Sequence, residues 1–236
     1  MPFEEIFSNL LLMFLCYAYV LAIIFVSGKI DKTLHVSRKS SRKFLHIMIG
    51  NLPFIIPFFT LTIFPVLVAA PFIILTLLAL PYSPFKTVSK RTKELADITE
   101  EGHQLGLVFY AISYTCLALL FASKAYIIAA GILPMAYGDA AASIVGQRWG
   151  RRKYKLVAQK SLEGSVAMFL FSFLSLSAGL VFFSFFYDFA VLDKIVATLA
   201  AAAVATVVEG FSPMGFDNLT VPAFSVLVFL LYGGGF

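Results

Sequence analysis

A carboxylate flanked by small residues lies deep in an otherwise apolar stretch, in the run Gly138-Asp139-Ala140-Ala141-Ala142-Ser143. If the span begins at Ala125, Asp139 is about fourteen residues in, or roughly 21 Å along at 1.5 Å per residue, several Å below the surface of a ~30 Å hydrocarbon core. A charge at that depth costs about 2.5–3.5 kcal/mol even on the mild insertion scale, so it needs a partner. Either a Lys or Arg of a neighbouring helix neutralises it, or it serves a metal, a nucleotide or a proton. Beyond it come Gly146 and Gly150, then Arg151, Arg152 and Lys153. Glycines let backbone amides face phosphate oxygens, although Gly146 and Gly150 equally make a small-xxx-small helix-packing face.

Three further patches carry polar chemistry. Lys160-Ser161-Leu162-Glu163-Gly164-Ser165 stands directly before a strongly apolar span; Lys160 offers a point charge to a phosphate, and Ser161 and the first amides of the next helix offer donors. Glu209 to Pro222 contains helix breakers together with Glu209, Asp217 and Asn218, oxygen ligands of the hard type that Mg²⁺ prefers. Its plainer reading is a capping turn with Asp217 or Asn218 as N-cap. Ser41-Arg42-Lys43-Phe44-Leu45-His46 enters another apolar run, and Arg42 and His46, four residues apart, share a helix face. For Arg42 and Lys43 the plain reading is a solvated basic flank, whereas an imidazole just inside the apolar region wants a polar partner.

Carboxylates for a divalent cation, cations for phosphates and glycines for close approach are the parts phosphoryl transfer uses, since that reaction rests on positioning and charge stabilisation. The donor cannot be read from these parts. Gln159 stands where a P-loop requires glycine before its Lys-Ser, and the H-R-D, D-F-G and G-x-S-x-G arrangements are absent from the sequence.

The elements that must position these residues are membrane helices. Of 236 residues, 60% are hydrophobic and 13% charged, against roughly 45–50% and 25% in a soluble domain, so the bilayer is the expected solvent. Apolar runs predict an all-α, polytopic single domain over 1–236 with seven to eight spans, near 6–27, 44–59, 61–81, 105–123, 125–145, 165–187, 190–208 and 219–235. The second is short and carries Asn51, Pro53 and Pro57, which predicts a kinked or re-entrant segment. The first has Glu4 and Glu5 before it in place of a positive n-region, and reads as a retained helix. Cys16 and Cys116 fall inside apolar runs and read as packing residues.

Numbering the loops alternately puts every Lys and Arg except Lys124 and Lys194 on one side, in Lys29 through Lys43, Lys86 through Lys93 and Arg148 through Lys160. The Glu209 to Asp217 connection joins them. The positive-inside rule then expects that side, with the polar patches, in the cytoplasm and both termini outside. Basic loops also touch anionic membrane lipid, and nothing calls for nucleic acid. A site flush with the bilayer suits a substrate whose hydroxyl is anchored by a lipid tail.

The sequence resembles the CTP-dependent lipid kinases, the family of dolichol kinase, phytol kinase and the yeast-type diacylglycerol kinase. The resemblance is carried by Arg42-Lys43-x-x-His46, Gly138-Asp139-x-x-Ala142-x-x-x-Gly146-x-x-x-Gly150, Lys160 through Ser165, and Asp217-Asn218-Leu219-Thr220-Val221-Pro222. It implies CTP as phosphoryl donor, a divalent cation such as Mg²⁺, a lipid alcohol as acceptor and an all-helical membrane fold. Arg42, Lys43, Asp139 and Gly146 fall at positions the family treats as functionally important, and Lys160 to Gly164, with Ser161 and Glu163, would meet the nucleotide beside Gly138 and Gly150. Further expectations go beyond the resemblance: Asp139, Glu209, Asp217 and Asn218 as metal ligands, Lys160 with Arg151 or Arg152 on phosphates, and His46 or a carboxylate as acceptor of the alcohol proton. The middle region also resembles CDP-lipid synthases through Lys160-Ser161-x-Glu163-Gly164, but the C-terminal patch lacks their longer charged signature with paired glycines.

Overall fold

The computed structural model describes residues 3–34, 38–80, 105–157, 159–213 and 215–235. The basic stretch Lys86 through Lys93 lies outside the described residues, as does part of the Lys29 through Lys43 connection. In chain order the elements are α1 (Phe3–Leu34), α2 (Arg38–Ile49), a 3-10 helix (Leu52–Phe58), α3 (Ile63–Leu78), α4 (Gly106–Phe121), α5 (Ala125–Leu133), a π-helical turn (Pro134–Gly138), α6 (Asp139–Trp149), strands β1 (Lys153–Lys155) and β2 (Gln159–Ser161), α7 (Leu162–Phe183), a 3-10 turn (Val191–Lys194), α8 (Ile195–Phe211) and α9 (Asp217–Leu231).

Among the described residues four segments are long and apolar enough to cross a membrane: Phe3–Lys29, Ala125–Trp149, Leu162–Phe183 and Val191–Phe211. Ile63–Leu78, Gly106–Phe121 and Asp217–Leu231 are apolar but shorter. The expected span 44–59 is broken. α2 ends at Ile49, Gly50 and Asn51 turn, and Pro53 and Pro57 hold the continuation in a 3-10 helix, because a proline supplies no amide for an α-helical bond and clashes with the preceding turn.

The segment Ala125–Trp149 is the axis of the bundle. Every residue of α5 is buried, and α4, α7, α9 and the first 3-10 helix pack around it. By contrast α1 buries little of itself and presents Phe7, Phe14, Leu21 and Phe25 outward, as a helix facing lipid should. The axis is interrupted by the π-helical turn at Pro134–Gly138, immediately before Asp139. An extra residue in one turn rotates everything that follows, and such turns recur at functional sites.

The one departure from an all-α fold among the described residues is the antiparallel hairpin β1–β2, pairing Lys153 with Ser161 and Lys155 with Gln159. It folds the basic loop back so that Ser161 caps α7, its hydroxyl accepting from Gly164 N at 3.1 Å. The expected span 165–187 thus starts three residues earlier, at Leu162. Glu209 likewise belongs to the last turn of α8 rather than to a linker.

The far end is tied separately. Asn9 of α1 donates to Thr60 Oγ1 at 2.7 Å and accepts from Thr60 and Leu61 amides. Lys124 and Lys194 donate to the carbonyls of Gly235 and Gly234 at 2.8 and 3.0 Å.

Candidate active site

Asp139 has its neutralising cation: its Oδ2 pairs with Lys43 Nζ, both side chains buried. Lys160 pairs in the same way with Glu209. The two pairs are neighbours, since Asp139 lies within electrostatic range of Lys43, His46 and Lys160. Asp217, at the first turn of α9, feels Asp139, Lys43, Lys160 and Glu209 together. Five elements far apart in sequence, α2, α6, β2, α8 and α9, therefore place Lys43, Asp139, Lys160, Glu209 and Asp217 in one charged cluster.

The reading of Arg42 and Lys43 as a solvated flank is overturned. Ser41, Arg42, Lys43 and His46 are all buried, because α2 turns its polar face inward onto α6 instead of toward water. His46 gains its partner from α4: its ring stacks on Tyr110, centroids 5.0 Å apart, and the Tyr110 hydroxyl donates to the His46 carbonyl at 3.2 Å. Burial alone pulls the Lys160 ammonium down, but the Glu209 charge and hydrogen bond outweigh it and hold its pKa above the ordinary lysine value.

The glycines sit where helices touch. A methyl on Gly138 would strike the Ser172 hydroxyl and stand 2.8 Å from Met168 Sδ on α7. On Gly150 it would strike the Gly146 carbonyl and stand 2.7 Å from Ser161 Oγ, and on Gly164 it would be 3.0 Å from the Ala142 carbonyl. Gly146 faces Ser161 Oγ and Gly164. Gly146, Gly150 and Gly164 thus draw α6, the hairpin and the start of α7 together around Ser161, which is the small-residue packing reading. Their absent side chains seat Lys160 beside the cluster.

Arg151 and Arg152 stay outside it, with exposed side chains. The Arg152 amide donates to the half-buried Glu163 carboxylate, at 3.2 Å to Oε1, and the Leu162 amide donates to the Arg152 carbonyl. Glu163 therefore braces the mouth of the hairpin. Asn218 is buried: its amide group and backbone bond to Gly215, Asp217 and Ser113, while its Oδ1 finds no hydrogen-bond partner among the described residues. Phe216, not Asp217 or Asn218, is the N-cap of α9, and Gly215, at φ +85°, makes the turn that admits it.

The four expected metal ligands do not form a ready cage. Among the described residues no group of three or more His, Cys, Asp or Glu side chains is arranged to hold an ion, since Asp139 and Glu209 are occupied by lysines. Mg²⁺ bound with a nucleotide takes only one or two carboxylates and completes its shell with phosphates and water. Asp217 and the unpartnered Asn218 Oδ1 fit that smaller requirement.

Sequence reasoning missed Tyr110, Ser113 and the Tyr154–Ser165 hydrogen bond of 2.6 Å. Hydroxyl-bearing residues at 110, 113 and 114 within one apolar run were the available signal for the first two.

Comparison with known proteins bears out the motif resemblance. The chain is 43% identical to the phytol kinase of Synechocystis over 145 residues, 60% of this chain and 60% of that protein. It is 33% identical to a probable chloroplastic phytol kinase of Triticum aestivum over 146 residues, 58% of this chain and 49% of that one. With the dolichol kinase of Saccharomyces cerevisiae it shares 36% identity over 100 residues, 41% of this chain and 18% of the yeast protein. The matches thus span about half to three fifths of the phytol kinases. No family model matches the chain, and no solved structure matches it.

Proposed function

We propose that this chain is a lipid kinase that transfers the γ-phosphoryl group of CTP to the hydroxyl of an isoprenoid alcohol, phytol or a close relative, at the membrane surface. The observation that carries the reading is the buried double ion pair Lys43–Asp139 and Lys160–Glu209 beside Asp217, in a chain similar to phytol kinases. CTP comes from the motif resemblance. The basic end of the bundle faces the cytoplasm, where the nucleotide is, and the segments between residues 3 and 235 cross with both ends on the other side.

Each part of the cluster has work in such a reaction. Two lysines, Lys43 and Lys160, stand against three acids, Asp139, Glu209 and Asp217. A triphosphate brings excess negative charge that competes for the lysines. Asp217, Asn218 and Asp139 would hold a divalent cation, which would supply the compensating positive charge. Lys160, half-buried, and Lys43, buried, then hold the phosphates. The alcohol oxygen bonds to the γ-phosphorus, the bond to the bridging oxygen breaks, CDP leaves, and the hydroxyl proton passes to the buried His46.

The test is incubation of the purified protein in detergent with Mg²⁺, γ-labelled CTP or ATP, and separate panels of phytol, geranylgeraniol, polyprenol and diacylglycerol. Label should move from CTP into the organic phase with phytol or geranylgeraniol. Release of pyrophosphate with a lipid phosphate, and no transfer to any alcohol, sinks the kinase reading in favour of a CDP-lipid synthase.

A further inference from the structure

Between α1, α2, α3 and α4 lies a cavity walled by apolar side chains, among them Ile24, Leu45, Val68, Phe72 and Leu107. We infer that this cavity is the tail site for the alcohol, holding roughly the first two isoprene units with the hydroxyl end at His46; the inference rests on the kinase reading above.

Its position joins it to the charged cluster. Leu45 lies between Lys43 and His46 on α2, and Tyr110 presents one side of its environment to the stacked His46 ring while also lining the cavity. Tyr110 and the Leu45–His46 step of α2 are thus shared by the cavity and the imidazole. Ala69 and Ala111 supply the room, where larger residues would fill it. α1, which is mostly exposed to the surrounding lipid, forms one wall with Val20 and Ile24. A single helix separates the cavity from the bilayer that delivers the substrate.

The chemistry of the wall selects a hydrocarbon. Its polar groups include Thr76, whose hydroxyl is spent on the Phe72 carbonyl at 2.7 Å, and Tyr114, whose buried hydroxyl finds no partner among the described residues. A water needs two to four partners to stay in such a place, and one phenol does not supply them. The lining runs from Val68 to Thr76 on α3 and from Leu107 to Tyr114 on α4, about 10–12 Å at 1.5 Å per residue, or about two isoprene units. Because lipid tails are as apolar as the wall, moving a chain from bilayer to cavity gains little hydrophobic energy. Selection is by shape, and chain length beyond the second unit should hardly matter.

The test is photolabelling of the full chain in nanodiscs with a farnesol analogue carrying a diazirine in its second isoprene unit, adducts being mapped by mass spectrometry. Adducts are expected on cavity residues such as Phe72 and Tyr114, displaced by excess geranylgeraniol. Ala111→Phe, and the milder Ala111→Leu in case the first does not fold, should cut labelling at least tenfold while leaving labelling by an azido-CTP probe unchanged. Adducts confined to outward residues such as Phe14 and Leu119, or undiminished in either folded variant, overturn the inference. So does equal labelling by a diazirine phosphatidylcholine that the alcohol fails to displace. Transfer of label from CTP, measured on the same preparation, separates the two ideas. Displaceable labelling without transfer keeps the tail site and removes the kinase reading; transfer without cavity labelling does the reverse.

Discussion

At the basic end of the bundle Lys43 and Lys160 meet the carboxylates of Asp139 and Glu209, whereas at the far end Lys124 and Lys194 meet backbone carbonyls of Gly235 and Gly234. Lys194 is also set against the rings of Tyr126 and Phe189, 5.2 and 4.9 Å from their centroids. Both ends bury ammonium groups, which is costly without compensation. The far end compensates with dipoles and aromatic faces that cannot leave without unfolding the turn. The basic end compensates with full charges on five separate elements, each of which, under the proposed mechanism, would exchange its partner for a phosphate or a cation. On that mechanism buried charge there is exchangeable, and at the far end it is a tether.

Substitution at the cluster should break this contrast most visibly. Asp139→Asn is expected to lower turnover by at least about 10²–10³-fold, the scale of removing one preorganised charge-stabilising group. It should also cost about 3–5 kcal/mol of stability, because Lys43 is left buried without its counter-charge. The double change Lys43→Met with Asp139→Leu should recover that stability and no activity, since a well-packed apolar pair replaces a buried ion pair at little cost. Transfer assays and thermal unfolding in one detergent read both quantities. An active Asp139→Asn protein would refute the role given to this carboxylate. At the far end Lys194→Met should show the opposite pattern, a loss of about 1–3 kcal/mol for the orphaned Gly234 carbonyl with kcat unchanged.

How much of this was legible in the sequence depended on whether the signal was local. Asp139 announced itself because an acid in an apolar run is costly wherever the helix ends up, and the demand for some partner, a Lys or Arg or else a ligand, followed from energetics alone. Which cation it would be did not follow. Lys43 lies 96 residues away, and choosing it over Arg42 or Lys160 needs the packing of α2 on the axis. Most helices were readable from apolar length, and the breaks at Pro53 and Pro57 were readable as a kink. The π-helical turn was not, although Pro134 was in plain sight, because a proline in a span can kink, bulge or be absorbed and only the neighbours decide. The hairpin was hidden for another reason. Lys153 to Ser161 is short and charged, with no alternation strong enough to outvote a loop, and its pairing depends on Gly150 and Gly146 leaving room for Ser161.

That dependence sharpens the comparison at a smaller scale. Gly150→Ala forces a methyl onto the Gly146 carbonyl and the Ser161 hydroxyl, and overpacking of this kind costs about 1–3 kcal/mol. Because the displaced element carries Lys160, KM for the nucleotide should rise while KM for the alcohol stays near its original value. Ser161→Ala removes the cap of α7 without adding bulk and should cost about 0.5–2 kcal/mol. If Gly150→Ala changed the alcohol KM instead, the hairpin would belong to the lipid side of the site.

The smallest expected effect is in pH, and it isolates the Lys160–Glu209 pair from its neighbours. The folded pKa of Lys160 lies above its ordinary value of 10.5, so its stabilising contribution is complete below that value and disappears only as pH rises through the higher folded one. From neutrality upward this pair should therefore leave the unfolding midpoint flat until strongly alkaline solution. Glu209→Gln removes the charge that holds the ammonium protonated and leaves burial, which acts in the opposite direction. The alkaline loss of stability should then begin at a lower pH than in the unaltered protein. Thermal unfolding followed over a pH series for both proteins measures the displacement, and coincident curves would show that Lys160 is neutralised by some group other than Glu209.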